Sequence, residues 1–297
     1  MSLVIAESLD AALAEVAAGA RPIAGGTDLV VAARQGTAPL PESLVAIDRV
    51  AELRGLAHNA DGVRIGAIVT HAELMTDAGI VDDYTALADA AALVGSPSTR
   101  NVGTLGGNVM NGSPAMDTGA PLLVLDATVE LRSSSGSREV ALADLWVGPG
   151  ATSASLDELC VALRLPPRPP LSGSAYVRLE YRRAMEIAVV GAAASITLDG
   201  DGIVTAGRIA LTAVAPTILE VDDIDLAFTT PAVAAERAAA AARATARPIS
   251  DLRASDTYRS HVIGVMAARA VDAAARRAAG ETIAVPVNRA TGIGATR

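Results

Sequence analysis

Apolar residues Leu9, Ala12, Leu13 and Val16 return every three or four positions, the spacing of one helix face, with Ser8 placed to cap the helix and Gly19 to end it. The period then changes. Residues 21–36, RPIAGGTDLVVAARQG, predict a short strand, a Gly-Gly turn and a helix from about Thr27 or Asp28 to Gln35, stopped by Gly36. SLVAID at 43–48 predicts a second strand with a helix starting near Val50, and VRIGAIVT at 63–70 predicts a third that runs into a helix capped at Thr70. IVDDYTALADAAALV at 80–94 reads as a helix. SPSTRNVGTLGGNVMNGSPAMD, which follows, is glycine-rich and poor in bulky apolar residues, so it reads as a long loop.

Further on, LLVLDATVEL, SREVALADL and ELCVALRLP are separated by turn signals, as the strands of an antiparallel meander would be. PPRPP at 166–170 is a stiff linker. SAYVRLEYRR and AAASITLDGDGIVTAGRIALTAV, with a hairpin signal from Asp199 to Gly202, predict a second antiparallel sheet. The tail is helical over 231–246 and again over 255–279, ending at Gly280. The order of elements predicts an α+β chain. Its first part is a small α/β lobe (1–55) and a lobe of mixed and antiparallel strands with helices (56–168), and its last part is an antiparallel sheet with a helical bundle (171–290).

Composition narrows the function. The net charge is −9, and all 24 basic residues are arginine, with no block of them to serve as a nucleic-acid footprint. Cys160 is the only cysteine, so the chain makes no internal disulfide and cannot by itself hold a zinc ion or an iron–sulfur cluster; any metal centre belongs to another chain. The Ala/Val-rich stretches are interrupted well short of about 18 residues, and no basic-then-apolar leader opens the sequence. A cytoplasmic protein without a membrane span is expected.

The candidate chemistry lies in two glycine loops. A glycine turn ahead of a helix leaves backbone N–H groups unpaired and lets a phosphate approach without a Cβ in the way. Ile23, Ala24, Gly25, Gly26, Thr27, Asp28 and Leu29 fit that description, although a Gly-Gly pair between strand and helix is often only a tight turn. In the second loop Thr104, Gly106, Gly107 and Asn108 offer a hydroxyl and an amide beside backbone N–H groups, and Ser113 and Asp117 follow, the latter able to accept from a ribose or ribityl hydroxyl. Two cradles of neutral donors imply a diphosphate, hence a dinucleotide. Neither loop is a P-loop, since no Gly-Lys-Ser/Thr follows, and G-x-G-x-x-G is missing, which makes NAD the weaker candidate.

AGGTDL at 24–29 and TLGGNVMNGSPAMD at 104–117 resemble the two FAD-binding signatures of the medium subunits of molybdenum hydroxylases of the xanthine dehydrogenase and carbon monoxide dehydrogenase type. EYRRAMEIAVVGAAASI at 180–196 and PISDLRASDTYRSHV at 248–262 are similar to later segments of the same family, so the resemblance runs over nearly the whole chain. It implies that the first two lobes form one FAD-binding domain, that the glycine loops hold the FAD pyrophosphate, and that Asp117 contacts FAD. It also implies that Val94, Cys160 and Arg178 lie near the flavin. Read without the resemblance, Val94 and Cys160 are core residues and Arg178 is a solvated or ion-paired surface group.

The resemblance further implies an electron relay with no catalytic residue and no metal of its own. Its partners would be a molybdenum-cofactor large subunit and an iron–sulfur small subunit, in a dimer of heterotrimers. The rival readings are a self-contained FAD-dependent oxidoreductase, against which the C-terminal segments argue, and a flavin-free scaffold, against which the intact donors of both loops argue. Other residues read blandly. His58, His71 and His261 lack metal-ligand spacing and suit surface or capping roles, Tyr176 and Tyr181 suit packing, and Asp222, Asp223 and Asp225 suit a solvated loop. No partner is evident for Trp146.

Overall fold

The computed structural model describes residues 1–182, 184–222 and 224–290, so Arg183 and Asp223 lie outside the described residues. In chain order the strands are β1 (Ser2–Ile5), β2 (Arg21–Ile23), β3 (Ser43–Ala46), β4 (Leu56–Asn59), β5 (Gly62–Gly66), β6 (Thr128–Ser133), β7 (Gly136–Ala141), β8 (Trp146–Gly148), β9 (Ala151–Thr152), β10 (Leu159–Leu165), β11 (Ser172–Leu179), β12 (Val190–Leu198), β13 (Val204–Thr212) and β14 (Leu219–Glu220). The helices are α1 (Leu9–Ala17), α2 (Leu29–Gln35), α3 (His71–Leu74), α4 (Ala78–Asp83), α5 (Thr85–Leu93), α6 (Pro97–Arg100), α7 (Leu105–Asn111), α8 (Gly119–Val124), α9 (Leu142–Leu145), α10 (Pro231–Thr245), α11 (Asp256–Ala278) and α12 (Val287–Ala290). Among the described residues no helix is long and apolar enough to cross a membrane.

Two compact units divide these elements. One comprises Met1–Glu73, Pro97–Gly112 and Asp126–Pro166, and the other Leu74–Ser96, Ser113–Leu125 and the residues from Pro167 on. The first unit holds a parallel sheet, β1-β3-β2, and an antiparallel sheet, β4-β5-β10-β6-β7. The predicted α1 face is the one buried: Leu9, Ala12, Leu13 and Val16 join Val45, Ile47, Leu53 and Val161 in a core. Ser8 caps this helix by accepting from the Ala11 N–H at 3.2 Å. α2 ends at Gly36 in the left-handed region, where the Thr37 N–H returns to the Ala32 carbonyl. Thr70 and Glu73 form a reciprocal capping box at α3, with the Thr70 N–H donating to Glu73 at 2.7 Å and the Glu73 N–H to Thr70 at 3.2 Å.

The second unit is the antiparallel sheet β11-β12-β13-β14 packed against α10 and α11. The period of a strand divides β11 cleanly. Ala175 and Val177 enter the apolar core shared with α11, whereas Tyr176 and Arg178, equally buried, meet polar partners. Asp89 of α5 is the knot of this unit. Its carboxylate accepts from Arg277 Nη1 at 2.6 Å and Nη2 at 3.1 Å, from the Val287 N–H at 2.8 Å and from the Tyr176 N–H at 3.1 Å, joining α5, α11, β11 and the approach to α12.

Several sequence expectations are corrected. The expected loop at 96–117 is largely helical, α6 and α7, because Thr104 caps α7 and Leu105 and Val109 bury one side of it despite two glycines. LLVLDATVEL is not one strand: it begins in α8, every residue of which is buried, and turns into β6 only at Thr128. A short apolar run buried all round does not distinguish strand from helix. The helix at 80–94 is broken into α4 and α5 at Tyr84, and the one expected near Val50 is a single turn, Ala51–Leu53. Trp146 has a partner after all, donating its indole N–H to the Val109 carbonyl at 3.0 Å. Asp222 and Asp225 are exposed, as a solvated loop requires.

Removing the knot tests this account. Asp89→Ala leaves the Arg277 guanidinium buried without its counter-charge, a change that costs about 3–5 kcal/mol. Urea unfolding of the variant is expected to show that loss, with Asp82→Ala on the surface of α4 changing stability by less than about 0.5 kcal/mol.

Candidate functional site

The two glycine loops lie together within the first unit. The contact is made by backbone: a Cβ on Gly25 would fall 1.7 Å from the Val102 carbonyl oxygen and 2.4 Å from its carbon, so only glycine admits this approach. Gly26 follows at a φ of +68°, turning the chain into α2. A second link is a side-chain bond, from the Asn111 amide nitrogen at the end of α7 to the Asp28 carboxylate at 3.2 Å. A third is convergence. The point where a Cβ on Gly103 would stand is 3.5 Å from Thr27 Oγ1 and 3.4 Å from His71 Cδ2.

The loops differ in what they offer a ligand. The N–H groups of Gly25, Gly26, Thr27, Asp28 and Leu29 make no hydrogen bond among the described residues, and all five residues are exposed or half-buried. Such a run of unpaired donors, with no basic side chain in it, suits an anion held by dipoles. In the second loop the corresponding donors are already used. Leu105 N–H donates to Val69 O at 2.9 Å, Gly106 N–H to Ala67 O at 2.9 Å, Gly107 N–H to Thr104 Oγ1 at 3.2 Å and Asn108 N–H to Thr104 O at 3.0 Å. Gly106 is buried against Ala67, where a Cβ would come within 2.7 Å, while Gly107 is exposed. This loop therefore forms the wall against which the first is set, with the Asn108 side chain half-buried and the Thr104 hydroxyl engaged as the cap of α7. Ile23 and Ala24 are half-buried, Ala24 against the core of the unit. Partial burial pushes the Asp28 carboxyl up.

One residue here was misjudged from sequence. His71 is not on the surface. It is 1% exposed and held neutral, its value pushed down to about 4 by burial and then by the Arg100 charge. Cys160 sits in β10, buried, with its thiol pushed up to about 12 by burial and then by Glu130.

The other candidates belong to the second unit. Val94 is the C-cap of α5, and Ser113 accepts from the Ala115 N–H at 3.3 Å. Asp117 and Arg178 form a buried pair at 2.6 Å. The Tyr176 hydroxyl donates to the other Asp117 oxygen at 2.8 Å, and Arg178 Nε donates to Glu180 at 2.8 Å. Burial opposes the Arg178 charge, but Asp117, Tyr176 and Glu180 overturn that and lift the guanidinium above its ordinary value. The surface reading of Arg178 is thus corrected: no atom of it is exposed. One strand position hid this, because its counter-charges come from α8's leading loop and from the strand's own end.

Neutral donors in a glycine-lined turn fit the diphosphate of a dinucleotide, and the wider comparison agrees. A family model described as the FAD binding domain in molybdopterin dehydrogenase matches residues 1–168, and one described as the CO dehydrogenase flavoprotein C-terminal domain matches residues 175–274. The chain belongs to the FAD-binding medium subunits of the molybdenum hydroxylase family. The flavoprotein subunit is 33% identical to the xanthine dehydrogenase FAD-binding subunit of Escherichia coli O157:H7 over 88% of its own length and 91% of the relative's. It is 34% identical to the carbon monoxide dehydrogenase medium chain of Afipia carboxidovorans over 90% and 93%. Its fold matches the crystal structure of the Cu,Mo-CO dehydrogenase with a TM-score of 0.88 at 32% identity, covering 93% of this chain and 98% of that one. Quinoline 2-oxidoreductase from Pseudomonas putida 86 matches with a TM-score of 0.86 at 28% identity. The flavoprotein subunit binds FAD and is a component of an oxidoreductase.

Two measurements follow for it. Gly25→Ala drives a methyl group into the Val102 carbonyl and separates the loops; FAD fluorescence quenching is expected to show a loss of affinity of about 100-fold, or ~2.7 kcal/mol. Gly19→Ala, at a positive φ but with open space around it, is the control and leaves FAD affinity unchanged. Cys160 has a folded value above its ordinary 9.0, so its contribution to stability is intact below pH 9 and is lost as pH rises from 9 towards 12. Unfolding free energies of wild type are expected to decline relative to those of Cys160→Ala across that range, by up to about 1.4 kcal/mol per pH unit.

Proposed function

We propose that this chain is the electron-relay subunit of a larger hydroxylase. It would take electrons from the iron–sulfur clusters of a small subunit, after oxidation of substrate at a molybdenum cofactor in a large subunit, and pass them through FAD to an external acceptor. The names of its relatives support a multichain enzyme, since they include a medium chain of carbon monoxide dehydrogenase and subunit alpha of the 6-hydroxypseudooxynicotine dehydrogenase complex. A dimer of heterotrimers in the cytoplasm is the assembly this reading favours. The single observation that carries the cofactor's place is the unpaired N–H run from Gly25 to Leu29, set against the Thr104–Asn108 turn.

The residues divide the work of holding the cofactor. The N–H groups of Gly25 to Leu29 bind and fix the diphosphate, and Thr27, Thr104 and Asn108 add side-chain contacts. Asp117, paired with Arg178, accepts from a hydroxyl of the ribityl chain or ribose. The family resemblance also puts Val94, Cys160 and Arg178 near the flavin; Ser113 keeps the turn before Asp117 in shape. Bound FAD supplies the ability to accept electrons singly and deliver them in pairs.

The experiment is purification of the tagged chain from its native host. A yellow protein with FAD released on denaturation, accompanied by two further chains carrying molybdenum and iron, is the expected result. A colourless chain that cannot be reconstituted would leave only the scaffold reading, and a yellow chain that oxidises a substrate alone would favour the self-contained enzyme.

A further inference from the structure

His71 has a buried ring with no evident task. It opens α3, the four-residue helix capped by Thr70, and its backbone N–H donates to the Gly103 carbonyl at 3.1 Å, so the residue is tied to the hinge of the second glycine loop. The ring's Cδ2 edge faces Gly103 at the point of convergence with Thr27 Oγ1. Its Nδ1 is buried and makes no hydrogen bond among the described residues. A side chain that only filled core would be cheaper without a nitrogen left in that state.

The tautomer follows. A neutral imidazole carries one proton, and with no acceptor at Nδ1 that proton belongs on Nε2, the atom bonded to Cδ2. The ring therefore turns its donor edge toward the place where the two loops converge, where the Thr99 carbonyl oxygen and the Thr27 hydroxyl also stand, 3.0 and 3.5 Å from the point a Gly103 Cβ would occupy. Thr27 has one proton to give. If its oxygen accepts from the ring, that proton is free to point at an anion rather than back into the protein.

We infer that His71 is a positioning residue for the FAD diphosphate, acting through the Thr27 hydroxyl and the Gly103 turn and not by charge. The inference rests on the reading of the Gly25–Leu29 turn as the diphosphate site. It assigns His71 no proton transfer and no contact with the reacting ring.

A double-mutant cycle on the full chain, stripped of flavin and titrated with FAD, tests it. His71→Phe keeps the volume and loses the donor, and Thr27→Val keeps the shape and loses the hydroxyl. Each is expected to weaken FAD binding about tenfold, and the pair together also about tenfold, because both break one interaction. His71→Gln, which places an amide N–H near the Nε2 position, is expected to restore affinity to within about threefold of wild type. The two ³¹P resonances of bound FAD should move in His71→Phe and return in His71→Gln. Should His71→Phe not fold, as judged by its thermal transition, His71→Asn takes its place in the cycle. Losses that multiply in the double variant, equal losses in the Gln and Phe variants, or FAD binding within twofold of wild type in His71→Phe would each overturn the inference. Failure of the wild-type chain itself to bind FAD, or full affinity in Gly25→Ala, would instead overturn the reading on which it rests.

Discussion

The binding half of this protein depends on one backbone contact. Residue 25 lies so close to the Val102 carbonyl that a single methyl group would separate the segments. Little else holds the first loop in place. The helix behind it, LVVAARQ, buries none of its residues, so α2 does not anchor the turn through a hydrophobic face. The turn is fixed by what it touches on the other loop, together with Ala24 in the core and the Asn111–Asp28 bond. This arrangement leaves the donors of residues 25–29 outside any regular structure. Unpaired N–H groups are costly when buried and cheap when wet, and these are exposed or half-buried. They remain available to an anion without burdening the fold.

The two loops look alike as strings of letters, yet they divide the work unequally. A glycine can be needed for ligand approach, for a positive φ or for close packing of protein on protein, and the sequence does not say which. Gly26 meets the second need, Gly25 and Gly106 the third. Gly107 is closest to an open position, meeting only the Thr104 hydroxyl that caps α7. The reading of TLGGN as a second cradle of exposed N–H groups is therefore not met by its backbone. Its backbone is bonded to Val69, Ala67 and Thr104.

What was legible in the sequence was what depends on neighbours in the chain. Caps at Ser8 and Thr70, the stop at Gly36 and the buried face of α1 are local, and each appears where its chemistry places it. What was not legible depends on distant residues. Arg178 looked like a surface charge because its counter-charge Asp117 precedes it by 61 positions. His71 looked like a cap because the glycine turn that covers it lies on another segment. The α8 segment looked like a strand because an apolar run surrounded by protein on every side carries no period.

The second unit handles charge in the opposite way from the first. Where the glycine turn relies on neutral dipoles, the face of β11 buries a guanidinium between two carboxylates, Asp117 and Glu180. Such burial is tolerated only when every charge is met at short range, because the loss of hydration otherwise exceeds the attraction. Here Asp117 is met on both oxygens, by Arg178 and by the Tyr176 hydroxyl, and the Arg178 backbone is held on both sides by Asn288. A side chain bound at so many points has lost its freedom before any ligand arrives, so a contact it makes costs no further ordering. Rigidity of this kind suits a subunit that binds a redox cofactor, since its own side chains contribute position and field and leave the electron chemistry to the cofactor.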